Sequence, residues 1–198
     1  MPAKPHLKKE IALLKQGFRF IAGVDEAGRG AWAGPVVAAA VILPLERADL
    51  AAILSGLNDS KKLTPRQRES LFDIIQQIAL AIGVGLASAR MVDQINVVEA
   101  TRQAMGQALA QLRIPPTYLL LDHLTLPATA LPQQAFPKAD GISLSVAAAS
   151  VIAKVTRDRM LVDFNQTYPG YAFDRHKGYG TRLHQAALKQ LGACPIHR

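Results

Sequence analysis

Residues 18–43 hold two apolar runs, Phe18 to Val24 and Pro35 to Leu43, joined by a short glycine-rich link. Parallel strands need a crossover of a dozen or more residues, so so short a link implies a hairpin-like antiparallel return. The second run, PVVAAAVIL, is short and rich in valine, the pattern of a strand buried on both faces. The first ends in adjacent carboxylates, Asp25-Glu26, followed at once by Gly28-Arg29-Gly30. Neighbouring strand residues point to opposite faces, so a buried pair would need two separate partners. Both acids are therefore expected at the strand's end, beside something positive.

Beyond Leu43 strands and helices alternate. Asn58 to Leu63 is a polar loop, and Thr64-Pro65 opens a helix with Thr64 as N-cap and Gln67 closing a capping box. Leu71, Ile74, Ile75 and Ile78 carry it to about Leu80. Ala81 to Ala87 reads as a third strand and Met91 to Leu112 as a long helix ending before Pro115-Pro116. Tyr118 to Leu121 is a fourth strand with Asp122 at its end, and a proline-rich loop leads on to Asp140. Ser143 to Phe164 is a long helix with a small-residue face; a polar loop, Tyr168 to Thr181, precedes a last helix from Leu183 to Leu191. An antiparallel start followed by alternation defines an α/β domain with a mixed sheet. The 198 residues, 49% hydrophobic and 19% charged, suit one such domain, spanning 18–166. Residues 1–17 are expected to form an arm or short helix, and 167–198 a small C-terminal region completing the substrate site.

Asp25, Glu26, Asp122 and Asp140 share a position type, each closing an apolar segment or opening a loop beside one. Gathered together they would repel, a cost that a divalent cation with oxygen ligands removes. Singly, each also reads as a surface residue or cap, Asp140 above all because Gly141 follows it. Gly28, Gly30 and Gly34 lack the spacing of a dinucleotide loop, and no helix follows them. Glycines do let the backbone approach a ligand, and a sugar hydroxyl both donates and accepts.

The net charge is +8, and residues 154–198 hold eight Lys/Arg against three Asp, a local +5. Nucleic acid is a natural partner for such an excess. Lys61, Lys62 and Lys154, with Arg157, Arg159, His176 and Lys177, are candidates to neutralise phosphates, although singly each also reads as a solvated side chain. Trp32, Tyr168 and Tyr171 read as packing residues. The lone cysteine, Cys194, allows no internal disulfide and suits a reducing cytoplasm. No apolar run reaches the roughly 18 residues of a membrane span, so a cytoplasmic protein is expected.

The segments GVDEAGRG, NDSKKLT, LLLD, KADGISLSVAAASVIAKVTRDRM and HKGYGT, in that order, resemble those of the ribonuclease HII family. The resemblance runs from about Phe18 to Ala193. It implies an RNase H-like mixed β-sheet flanked by helices, with Asp25, Glu26, Asp122 and Asp140 as catalytic acids holding Mg²⁺ or Mn²⁺. It also implies that Gly28, Arg29 and Gly30 read a ribose 2′-OH, with Tyr179 at the same nucleotide. The implied substrates are RNA–DNA hybrids and duplex DNA with embedded ribonucleotides, cut by a monomer. Two departures stand out: His123-Leu124 where the family usually has Gly-Asn, and Ala31-Trp32 where Pro-Leu is frequent.

Two rival classes remain. A non-catalytic nucleic-acid-binding module explains the charge but gives no reason for acids at strand ends. A metal-independent ribonuclease would need a pair of histidines, and His176 and His184, eight residues apart on a loop-to-helix passage, are not expected to converge.

Overall fold

The computed structural model describes residues 4–58 and 60–198; Asp59, within the expected polar loop, and the first residues of the expected arm lie outside it. The strands are β1 (Ile21–Ala27), β2 (Val36–Ile42), β3 (Ala81–Ala87), β4 (Tyr118–Asp122) and β5 (Gln133–Phe136). The helices are α1 (Lys8–Lys15), α2 (Leu50–Ile53), α3 (Pro65–Ile78), α4 (Ala89–Ala110), α5 (Leu144–Thr167), α6 (Phe173–His176) and α7 (Arg182–Leu191). Short 3₁₀ turns lie at Ser60–Lys62 and Ala139–Gly141.

The sheet order is β3-β2-β1-β4-β5, with β1–β2 and β2–β3 antiparallel and β1–β4 and β4–β5 parallel. This is the expected mixed sheet. β2 is buried at all seven positions, as its unbroken apolar run requires. Alanines and valines of β2 pack under α3 and α5 on one face and α4 on the other. Alanine and glycine let these helices approach closely: Gly23 faces the main chain of α5, where a Cβ would lie 2.1 Å from the Ser145 carbonyl carbon.

The capping box forms as read, with Thr64 and Gln67 exchanging backbone bonds and Pro65 at the first turn. α1 is a helix tied to the core, because buried Glu10 accepts from the Ser143 hydroxyl and from the Ser145 N–H (3.0 Å) at the start of α5. Three elements depart from expectation. β1 runs to Ala27, so Asp25 and Glu26 lie within the strand, paired with Ala39 and Ala38, and not beyond its end. β5 stands where a proline-rich loop is expected: QQAF is a short, half-exposed edge strand with no apolar run to announce it. α4 is bent at Asn96 (φ 64°), whose Oδ1 accepts from the Val98 and Glu99 N–H groups and caps the second half mid-helix. No described helix is long and apolar enough to cross a membrane.

Candidate active site

Register gathers the acids. Val24 lies beside Leu121 in the parallel β1–β4 pair. Asp25 and Asp122, the next residues, leave the end of this pairing side by side, near enough for the charge of Asp122 to act on Asp25. Val24 and Leu121 belong to the core under α4, so alternation turns Asp25 and Asp122 to the α5 face, while Glu26, at the frayed end of the sheet, reaches the same cleft beside Arg29. There Arg29 Nη1 meets Glu26 Oε1 at 3.2 Å, the positive partner expected for the pair. The Ala139 N–H donates to Asp122 Oδ1 at 2.8 Å, which holds the 3₁₀ turn bearing Asp140 under the end of β4.

A cleft of about 740 Å³ opens over these residues. Asp25, Glu26 and Asp122 form its floor, while Asp140 is buried behind it at 6% exposure. Gly28-Arg29-Gly30, Tyr179, Ser60, Lys61 and Lys154 line its walls. Lys62 is exposed beside Lys61, off the wall. His123 lines the cleft with φ +61°, whereas Leu124 is buried, so the departure at this loop alters one lining side chain.

Burial, then the charges of Glu26, Asp122 and Asp140, push the Asp25 carboxyl well above the usual carboxylate range, against a hydrogen bond from Ser150. Burial also raises Glu26, opposed by the Arg29 guanidinium. Glu26 Oε2 is buried without a hydrogen-bond partner among the described residues. An all-carboxylate donor set, strained by its own charge and holding an orphaned oxygen, fits a hard divalent cation. Among the described residues, however, no three acids stand ready to ligate one ion as they are. Local donors explain this: Asp25 Oδ1 accepts from the Glu26 N–H at 2.7 Å, Glu26 is turned to Arg29, and Asp122 is turned to Ala139. Magnesium commonly takes only one or two protein carboxylates, with water and substrate phosphate completing its shell.

The two candidate sugar-reading segments are joined through the backbone. The Trp32 and Ala33 N–H groups both donate to the Gly178 carbonyl, at 2.9 and 3.2 Å, which sets Tyr179 against the Gly28–Gly30 turn. Gly28 has φ +96° and no room for a side chain, since a Cβ would lie 2.1 Å from Arg157 Nε. Among the described residues the Arg29 and Gly30 N–H groups find no acceptor. Lys154 Nζ stands 5.2 Å from the Tyr179 ring centroid while pairing with Asp158 at 2.7 Å. Trp32 is half-exposed, its indole packed on Gly180 and tilted over His184, in keeping with a packing role.

Two expectations are corrected. Arg157 is no phosphate ligand: it is wholly buried and spends its three nitrogens on backbone carbonyls. Residues 149, 153, 157 and 161 form one buried stripe at helical spacing, a signal that the sequence carried. Arg159, by contrast, is exposed and paired with Glu69. His176 and His184 do converge, their rings stacked 4.3 Å apart, because the loop between them folds back as α6. Their nitrogens are committed to structure. The Gly178 N–H donates to His176 Nδ1, so His176 Nε2–H donates to the Tyr171 carbonyl at 2.8 Å. The Cys194 N–H donates to His197 Nδ1 (2.9 Å), so His197 Nε2–H donates to His184 Nε2 (2.9 Å). His184 Nδ1–H then donates to the Tyr179 carbonyl at 3.1 Å. A chain of neutral imidazoles thus ends on the backbone of Tyr179.

Comparison with solved structures places the sheet among ribonucleases of the H2/HII type. Ribonuclease H2 from Pyrococcus horikoshii OT3 superposes with a TM-score of 0.76 at 31% identity, covering 91% of this chain and 92% of that one. RNase HII from Archaeoglobus fulgidus, solved in complex with PCNA, gives 0.76 at 28% identity over 91% of this chain and 94% of that one. The family model of ribonuclease HII matches residues 22–198. Ribonuclease HII of Geobacter metallireducens is 53% identical over 189 residues, 96% of this chain and 86% of that protein. The chain belongs to the ribonuclease HII family and is a metal-dependent ribonuclease H, acting on the RNA of RNA–DNA hybrids.

Proposed function

We propose that this enzyme, besides hydrolysing the RNA strand of hybrids, cuts on the 5′ side of ribonucleotides embedded in duplex DNA, leaving 3′-hydroxyl and 5′-phosphate ends. Asp25, Glu26, Asp122 and Asp140 are the residues that would hold two Mg²⁺ or Mn²⁺ ions. Such ions, when bound, supply an acidified water and charge stabilisation for the leaving oxygen. The observation that carries the sugar check is the pair of amides, of Arg29 and Gly30, that find no acceptor among the described residues and lie beside Tyr179 in the lining of the acid cleft. A 2′-OH accepts from such amides, and a deoxyribose offers them nothing. Lys61, Lys62 and Lys154 neutralise flanking phosphates, so binding falls steeply with salt. Residues 18–166 carry the chemistry, 167–198 complete the sugar-binding wall, and the chain works as a monomer.

The test is cleavage of a duplex holding one ribonucleotide, its all-DNA counterpart and a long hybrid, each with Mg²⁺, Mn²⁺ or chelator. Metal-dependent cutting at the ribonucleotide with 5′-phosphate products is expected. Equal cutting of the all-DNA duplex would refute the sugar check. Chelator-resistant cutting or cyclic phosphate ends would move the chemistry to a 2′-OH nucleophile, and binding without cleavage would leave a binding module.

A further inference from the structure

Two guanidiniums lie beneath the sugar-reading wall, and neither forms an ion pair among the described residues. Arg157 is fully buried, a costly position unless its donors are satisfied. Its Nε donates to the Pro35 carbonyl (2.9 Å), Nη2 to Ala33 (2.9 Å) and Nη1 to Lys177 (2.8 Å). One planar fork thus spans both segments that the sugar check needs, the 28–35 turn and the 177–180 turn. Arg198 takes the other side of the first turn, donating to the Gly34 and Gly28 carbonyls at 2.9 Å and to Arg29 at 3.4 Å. Five carbonyls of the 28–35 turn are drawn inward by these two side chains.

The consequence lies on the opposite edge of the same peptides. With the Gly28 and Arg29 carbonyls held from below, the following N–H groups, of Arg29 and Gly30, find no acceptor among the described residues. Gly28 is flush against the Arg157 fork, where any Cβ would strike Nε, so the turn is seated on the guanidinium without slack. The Tyr179 ring lies over the same group, its centroid 5.3 Å from Arg157 Cζ. We propose that Arg157 and Arg198 are positioning residues for ribose recognition: they aim the Arg29 and Gly30 amides into the cleft and lock Tyr179 in register with them. This rests on the sugar-reading role proposed above. A residue that merely fastened residues 167–198 to the sheet would affect stability but not the choice between ribose and deoxyribose.

Arg157→Lys and Arg198→Lys separate these roles, since lysine keeps the charge and loses the fork. Binding to a duplex with one ribonucleotide and to its all-DNA counterpart is measured by anisotropy in chelator, alongside thermal unfolding and kcat and KM with Mg²⁺ on the single-ribonucleotide duplex and on a long hybrid. Discrimination is expected to fall about tenfold in Arg157→Lys, equivalent to about 1.4 kcal/mol, and less in Arg198→Lys, with both variants folded. Hybrid cleavage, which offers a 2′-OH at every position, should fall less than single-ribonucleotide cleavage. Variants that are folded and discriminate as well as wild type would overturn the proposal while leaving the sugar check intact. Failure of both variants to fold would count against it, reducing the pair to structural residues. Equal binding of both duplexes by wild type itself would remove the sugar check and this inference together.

Discussion

Gly23 couples the sheet to the helix that brings Ser150 and Lys154 to the cleft. A Cβ there would meet three main-chain atoms of α5, the Ser145 carbonyl carbon at 2.1 Å, its oxygen at 2.3 Å and the Val146 nitrogen at 2.4 Å. No side chain can rotate away, so α5 itself has to withdraw. Ordinary contact begins at 3.4 Å against the 2.1 Å found, a retreat of about 1.3 Å. Overpacking costs about 1–3 kcal/mol, and a yielding backbone points to the upper end. At about 2–4 °C per kcal/mol for a chain of this size, Gly23→Ala should melt about 6–12 °C below wild type. Ser150, Lys154 and Arg157 travel with α5. A misplacement near 1 Å is worth on the order of a hundredfold in rate. Circular dichroism melts and kcat on an RNA–DNA hybrid, measured where the variant is folded, test both halves. Wild-type melting would refute the packing; lowered melting with unchanged kcat would refute the coupling of packing to the site.

Asp25→Asn removes a charge that burial, Glu26 and Asp122 all oppose. The variant should lose cleavage yet, without divalent ions, gain about 0.5–2 kcal/mol of stability; a lower melting temperature would contradict the strain. Glu10→Ala, which strips two bonds from the start of α5, should cost about 1.5–3 kcal/mol by chemical denaturation, and a neutral effect would show that α1 does not brace the helix. The His184–His197 pair has room for one shared proton only, and burial lowers the pKa of both rings. Above the ordinary histidine value, about 6.5, folded and unfolded chains are alike neutral and stability is complete; below it the unfolded chain takes protons that the folded one refuses. Trp32, the sole tryptophan, lies with its ring centroid 5.7 Å from His184. Its fluorescence should hold steady at neutral pH and change between about pH 6.5 and 5, and a flat profile would contradict the neutral chain.

Local chemistry was legible wherever it determines structure by itself. The Thr64–Gln67 capping box, β3 and the buried run of β2 need only their own residues. Expectation failed where a neighbour decides. β1 extends three residues beyond Val24 because β2 continues to pair with it after β4 has diverged. β5 exists because β4 offers an open edge, and QQAF alone gives no sign of it. For the site, four acids at apolar boundaries were visible, but not that Asp25 and Asp122 share a face while Glu26 turns to Arg29; that follows from register. The charge of Arg157 suggests a phosphate ligand while its helical spacing places it in the buried stripe, and spacing along the chain hides the histidine pair because the loop between the two folds back on itself.

Mn²⁺ titration, followed by electron paramagnetic resonance in the presence of a non-cleavable hybrid, compares wild type with Asp122→Asn. Wild type should bind two ions per chain, and the variant should bind fewer, retain the hybrid and fail to cut its cleavable counterpart. Undiminished Mn²⁺ binding together with undiminished cleavage in Asp122→Asn would show that the paired strand-end carboxylates are not the seat of the chemistry.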